Sequence, residues 1–83
     1  MESESNYEVD MISLGDGSAA IIPVRNTDMV EVSYRWSQIS QDTVTVHKRD
    51  IPKFTHTRGS IEWIDEVQKF CKRTVIAHSE SLR

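Results

Sequence analysis

The spacing of the hydrophobic residues changes once along the chain, and this change limits the folds that the chain can adopt. From Val30 to Trp36 an apolar residue stands at every second position, which is typical of a strand with one apolar face. From Ser60 onward the apolar residues recur at helical spacing instead. A chain that is strand-like first and helical last predicts a sheet whose apolar face is covered by a terminal helix.

Three further segments have the features of strands. Residues 7–14 alternate at first and then shift phase, which indicates a bulge or burial on both faces. Residues 18–24 contain a continuous apolar run, and Pro23 places that strand at a sheet edge or near its own end, because proline donates no ladder hydrogen bond. Residues 43–48 repeat the alternation, and the short connections between all four segments favour antiparallel pairing.

We therefore predict an α+β fold, a four-stranded antiparallel β-meander with one C-terminal amphipathic helix packed on one face, in the order β-β-β-β-α. The polar residues 1–6 are predicted to form a flexible acidic tail, so that a single small domain spans 7–83. Ser60 is the predicted N-cap of the helix. The apolar arc of the helix comprises Trp63, Ile64, Val67, Phe70, Cys71, Thr74, Val75 and His78.

Several classes of function find little support in the composition. The single cysteine cannot form an internal disulfide, so we expect a cytoplasmic protein. No apolar run approaches the ~20 residues that span a bilayer, so we expect no membrane contact. No Cys or His pair has the short spacing of a zinc site, and Cys71 lies on the predicted core face. We expect no metal, no cofactor and no catalytic residues, and hence no enzyme.

The charges are distributed unevenly, although the net charge is only −3. Residues 1–24 contain five acidic residues and no Lys or Arg. Glu8, Asp10 and Asp16 are therefore a candidate acidic surface for binding a basic partner.

Residues 47–58 are basic, which offers a second candidate surface. Basic side chains around an aromatic ring can bind nucleic acid. The residues concerned are Lys48, Arg49, Lys53, Phe54 and Arg58. Because the pI of about 5.5 is far below the value typical of nucleic-acid-binding domains, this reading is the alternative rather than the first choice.

Aromatic residues give a third candidate surface. One helix covers only about 10 Å of a sheet, so that outer strands stay uncovered. Tryptophan, tyrosine and arginine dominate binding hot spots, and the candidates are Tyr34, Arg35, Trp36 and Trp63. The same groups could form a homodimer, and an open edge of the fourth strand would invite addition of a partner strand or of a second copy.

The predicted architecture is a β-meander with a terminal helix in a small acidic chain. In this architecture alone, the sequence resembles small inhibitors encoded by phages, including anti-CRISPR-type proteins, and chromo-like peptide readers. A chromo-like reader would need an aromatic cage, for which Tyr7, Tyr34 and Trp36 are available. We expect a non-catalytic protein-binding module, an inhibitor or accessory factor that occupies a surface of a larger protein or macromolecular complex. The alternative is a nucleic-acid-binding domain, and a small enzyme or metal protein is the third reading.

Overall fold

The computed structural model describes residues 10–81, and it has the predicted α+β architecture. Within these residues, four antiparallel strands form one sheet in the order of the chain, and a single long helix packs against one of its faces. The elements are β1 (Ile12–Ser13), β2 (Ala19–Pro23), β3 (Met29–Arg35), β4 (Gln41–His47) and α1 (Ile61–Ser81). The predicted tail at residues 1–6 lies outside the described residues.

The first two strands differ in detail from the sequence expectation. Within the described residues, β1 is limited to Ile12 and Ser13, and the earlier part of the predicted strand is not described. The prediction that β2 lies at a sheet edge is wrong, because β2 lies between β1 and β3. Pro23 is instead the last residue of β2. In an antiparallel pair the backbone groups of alternate residues face the partner strand, and the nitrogen of Pro23 faces away from β3. It faces the β1 side, where β1 is too short to pair with it, so no hydrogen bond is lost.

The hydrophobic core lies between the sheet and α1. Alternate positions of the strands point at the helix, as the period of two predicts. Val30, Val32 and Ile21 are fully buried there, and the helix contributes Val67 and Cys71. The core is completed by Ile12, Leu14, Ala19, Val44, Trp63, Phe70 and Val75. The predicted apolar arc of the helix is confirmed for these positions, whereas His78 at its end is exposed.

The helix begins as the sequence indicates. The Ser60 hydroxyl oxygen accepts a hydrogen bond from the Trp63 N–H at 3.1 Å, which satisfies one of the unpaired donors of the first turn. Gly59 precedes it with a positive φ of 94°, a conformation that glycine adopts without strain. The residues just before the helix lie near Met11, whose carbonyl accepts a hydrogen bond from Arg58. From there the helix runs across the sheet, and its C-terminal part lies beside Trp36 at the end of β3.

Candidate functional site

The end of β3 presents an exposed aromatic side chain that is held in one orientation. Trp36 is 45% exposed. Its indole N–H donates to an Asp42 carboxylate oxygen at 2.7 Å, and its ring meets that of Tyr34 edge-to-face at 5.5 Å. The register explains the arrangement, because Tyr34 and Asp42 are direct partners on neighbouring strands and Trp36 follows Tyr34 by two residues.

Trp36 borders the C-terminal part of α1. A depression of about 210 Å³ lies between them, lined by Trp36, Ile76, Ser79 and Glu80. A second, more open depression of about 470 Å³ adjoins it along the helix, because Ile76 and Glu80 line both. Trp36 and the outer face of α1 therefore form one continuous surface.

The outer face of the helix in this region is basic. Lys69, Lys72 and Arg73 line the larger depression together with Ile76. Lys69 is paired with Asp65 at 3.0 Å, whereas within residues 10–80 neither Lys72 nor Arg73 has a carboxylate within ion-pair distance. We call the set Trp36, Lys72, Arg73 and Ile76 the Trp36 surface. Glu80 is the acidic residue at its margin.

A further apolar side chain stands close to Trp36 in the chain. Ile39 lies at the tip of the β3–β4 hairpin and is 95% exposed. The turn that carries it is closed by the Trp36 N–H, which donates to the Ser40 carbonyl at 2.8 Å. An isoleucine exposed to this extent does nothing for the core, so its apolar surface is available for contact with another molecule.

The predicted acidic surface is only partly described. Glu8 lies outside the described residues. Asp10 is exposed and sits 4.0 Å from the Arg58 guanidinium. Asp16 accepts a hydrogen bond from the Ser18 N–H at 2.9 Å, and hydrogen bonding to Ser18 lowers the pKa of its carboxyl. Both carboxylates thus have partners within the domain.

The structure brings together two of the four residues of the predicted aromatic and arginine anchor. Tyr34 and Trp36 are in contact, as described above. Arg35 points to the opposite face of the sheet, where its guanidinium packs over Gly17. A Cβ atom at position 17 would lie 3.4 Å from that guanidinium. Trp63 is only 8% exposed, in the core beneath the first turn of α1. It lies about 20 Å from Ile76 along the helix axis.

The predicted basic surface is divided in the same way. Phe54 is half-buried and packs edge-to-face on Phe70 at 6.0 Å, so part of its ring belongs to the core. Arg58 donates to the Met11 carbonyl at 2.7 Å and covers the Trp63 ring. Lys48 is half-buried at the start of a short 3-10 turn, Lys48–Asp50. Arg49 and Lys53 are exposed, as is Arg58 itself despite these contacts.

The state of Cys71 and the placement of the possible metal ligands bear on the third reading, a small enzyme or metal protein. Burial raises the pKa of the Cys71 thiol to about 12, so it is protonated at neutral pH. No three His, Cys, Asp or Glu side chains in the described part of the chain are placed to hold a metal ion. Of the proposed aromatic cage, Tyr7 lies outside the described residues.

Four residues of interest were not singled out from the sequence as site residues. Lys72 and Arg73 carry a recognisable signal, since Lys69, Lys72, Arg73 and Ile76 recur at helical spacing on the outer arc. Ile39 also carries one, as an isolated apolar residue between polar residues of a turn. Glu66 carries none, because its partners lie in a loop without periodicity.

No helix within residues 10–81 has the length and apolar character needed to cross a membrane. Comparison with known proteins identifies no matching family model, no similar curated protein and no similar solved structure.

Proposed function

We propose that this chain is a non-catalytic protein-binding module that docks through the Trp36 surface. The observation that carries the proposal is that Trp36 is exposed and yet fixed, by Asp42 on one side and Tyr34 on the other. An exposed side chain that is already ordered loses little conformational entropy on binding. Tryptophan is also among the residues most enriched in binding hot spots.

The surroundings of Trp36 indicate the chemistry of the partner. Ile76 continues the apolar surface, and Lys72 and Arg73 add positive charge without a carboxylate partner in the described part of the chain. A complementary partner surface would present an apolar pocket for the indole and acidic residues beside it. Such a module would act by occupying this region of a larger protein, as an inhibitor or as an accessory factor.

A binding assay with matched variants tests the proposal. A partner is first isolated from a lysate of the encoding organism, and its affinity is then measured for the wild type and for each variant. We expect Trp36→Ala to weaken binding about thirtyfold, the effect of losing a hot-spot residue. We expect the double variant Lys72→Glu/Arg73→Glu to weaken it as well.

Two controls make the assay specific. The double variant Arg49→Glu/Lys53→Glu changes the net charge by the same amount on exposed residues of the other basic segment, so we expect it to bind normally. A photocrosslinking residue at position 39 should capture the partner, whereas one at Ile61, which is 83% exposed at the start of α1, should not. Normal binding by both Trp36-surface variants, folded by circular dichroism, would contradict the proposal.

The same variants address the nucleic-acid alternative. If the partner fraction is nucleic acid, binding should weaken steeply with salt and should depend on Arg49 and Lys53. That outcome would make the basic segment 47–58, rather than the Trp36 surface, the binding site. Enrichment of no macromolecule by the wild-type protein would also count against the proposed function.

A further inference from the structure

Among the strands that the structure describes, β4 is the last of the sheet, and none of them pairs with its outer edge. Within residues 10–81, β4 pairs with β3 alone. Its seven residues, Gln41–His47, pair with β3 without interruption by a bulge. The strand contains no proline and no lysine, the residues that commonly protect sheet edges. A strand of this length and regularity is a template for another strand.

The hydrogen bonds at the two ends of the hairpin identify the backbone groups at the open edge. The Trp36 N–H donates to the Ser40 carbonyl, and the Lys48 N–H donates to the Asp28 carbonyl. In an antiparallel ladder, hydrogen-bonded pairs alternate with non-bonded pairs. Asp42, Val44 and Val46 therefore bond to β3. The N–H and C=O groups of Gln41, Thr43, Thr45 and His47 point away from β3.

The side chains at this edge suit close approach of a second strand. Thr43 and Thr45 lie on the sheet face that α1 does not cover, and both are exposed. Neither carries a charge, and threonine has a high preference for strands. The Thr43 hydroxyl already shares a hydrogen bond of 2.9 Å with Ser33, which keeps that side chain on the sheet surface.

We propose that the open edge of β4 pairs with β4 of a second copy of this chain, giving a dimer with one continuous eight-stranded sheet. An antiparallel pairing centred on Val44 places Thr43 opposite Thr45 of the second copy, and Thr45 opposite its Thr43. The backbone groups of Thr43 and Thr45 in both strands thereby form hydrogen bonds across the dimer. No two like charges face each other in this register, because Asp42 lies opposite Val46 of the second copy.

The geometry favours a second copy over an open-ended assembly. A twofold axis at Val44 uses the long edge of both molecules at once, so the assembly closes at two. The edges that remain belong to β1, which has only two residues within the described part of the chain. A domain of this size also has a small core, and burial of further surface by dimerisation would add to its stability.

The mass of the protein in solution gives the first test. Sedimentation equilibrium over a range of concentrations should show a reversible dimer with twice the chain mass of 9.6 kDa. Two double variants then test the pairing register. Thr43→Lys/Thr45→Lys places lysine opposite lysine twice across the dimer, and we expect the dissociation constant to rise about tenfold.

The matched variant is Thr43→Glu/Thr45→Lys, which likewise removes both threonines. In the proposed register it places glutamate opposite lysine twice, so the dimer should be as strong as the wild type or stronger. A pairing centred on position 43 or on position 45 instead would place that residue opposite its own copy, so that like charges would meet and the dimer would weaken. Equal weakening of both variants would therefore overturn the proposed register, and a wild type that stays monomeric at every concentration would overturn the dimer.

Hydrogen exchange of the wild type provides a measurement that does not depend on how the variants fold. On going from dilute to concentrated protein, the amides of Thr43 and Thr45 should become protected, because they gain partners in the second copy. The amides of Asp42 and Val44 already bond to β3 and should change little. Protection of all four amides alike, or of none, would contradict edge pairing. No binding partner is needed, so this result is independent of the proposed function.

Discussion

Glu66 on α1 accepts two hydrogen bonds from Thr55 in the loop that precedes the helix. The hydroxyl of Thr55 lies 2.8 Å and its N–H lies 3.3 Å from the same carboxylate oxygen. The other oxygen accepts from the His56 N–H at 3.1 Å and lies 3.0 Å from the His56 ring nitrogen. One carboxylate thus fastens the loop to the second turn of the helix.

This contact predicts a pH dependence of stability. Hydrogen bonds from Thr55, followed by those from His56, lower the pKa of Glu66 from its ordinary 4.5 to about 2. A lowered pKa in the folded state contributes stability that is fully present above pH 4.5 and is lost as the pH falls toward 2. The free energy of unfolding should therefore fall across this window, as measured by urea denaturation at several pH values.

Glu66→Gln isolates this contribution. The variant cannot titrate at position 66, so its loss of stability between neutral and acidic pH should be smaller than that of the wild type. Asp65→Asn is the control, because Asp65 is the neighbouring carboxylate and its partner is Lys69 rather than the loop. If Glu66→Gln and the wild type lose stability in parallel, Glu66 does not fasten the loop.

The contact between Trp36 and Asp42 predicts how the exposed indole behaves. In a Trp63→Phe background, Trp36 is the one remaining tryptophan. Asp42→Ala removes the acceptor of the indole N–H, so we expect a lower fluorescence anisotropy and stronger quenching by acrylamide. Asp42→Asn keeps an acceptor oxygen and should resemble the parent protein. Equal anisotropy in all three proteins would show that the hydrogen bond does not restrain the ring.

The two tryptophans are predicted to differ in their contributions to stability. Trp63 lies in the core, and Trp63→Ala should cost about 3–5 kcal/mol, the usual effect of removing a buried aromatic side chain. Trp36→Ala should cost about 1 kcal/mol or less, because much of that ring is already in water. Urea denaturation of both variants gives the comparison. A larger loss for Trp36→Ala would mean that Trp36 belongs to the core.

The sequence predicts those parts of the molecule that periodicity determines. The alternation through Val30 and Val32, and the helical arc through Val67 and Val75, place these side chains in the core correctly. Periodicity carries no information about strand order. The edge position suggested by Pro23 was therefore wrong, although its alternative, that the strand ends there, was right.

The candidate sites depend on contacts between distant segments, and these could not be predicted in the same way. Trp36 and Trp63 are the same residue type, yet one is ordered at the surface and the other is buried. The difference comes from how the helix crosses the sheet. Glu66 lies outside the predicted apolar arc of the helix, but the loop before the helix folds back over it. That loop has no period, so nothing in the sequence indicates the contact.

The position of Cys71 leads to a final prediction about reactivity. Its side chain is fully buried between α1 and β2, with the sulfur 3.9 Å from the Ala20 carbonyl oxygen. Burial raises the pKa of the thiol to about 12, so the thiolate, which is the reactive form, is scarce at neutral pH. Modification by a disulfide reagent should therefore be slow in the native protein, and its rate should rise with urea concentration in step with unfolding. A native-state rate like that of the urea-unfolded chain would show that the packing of α1 against β2 opens readily.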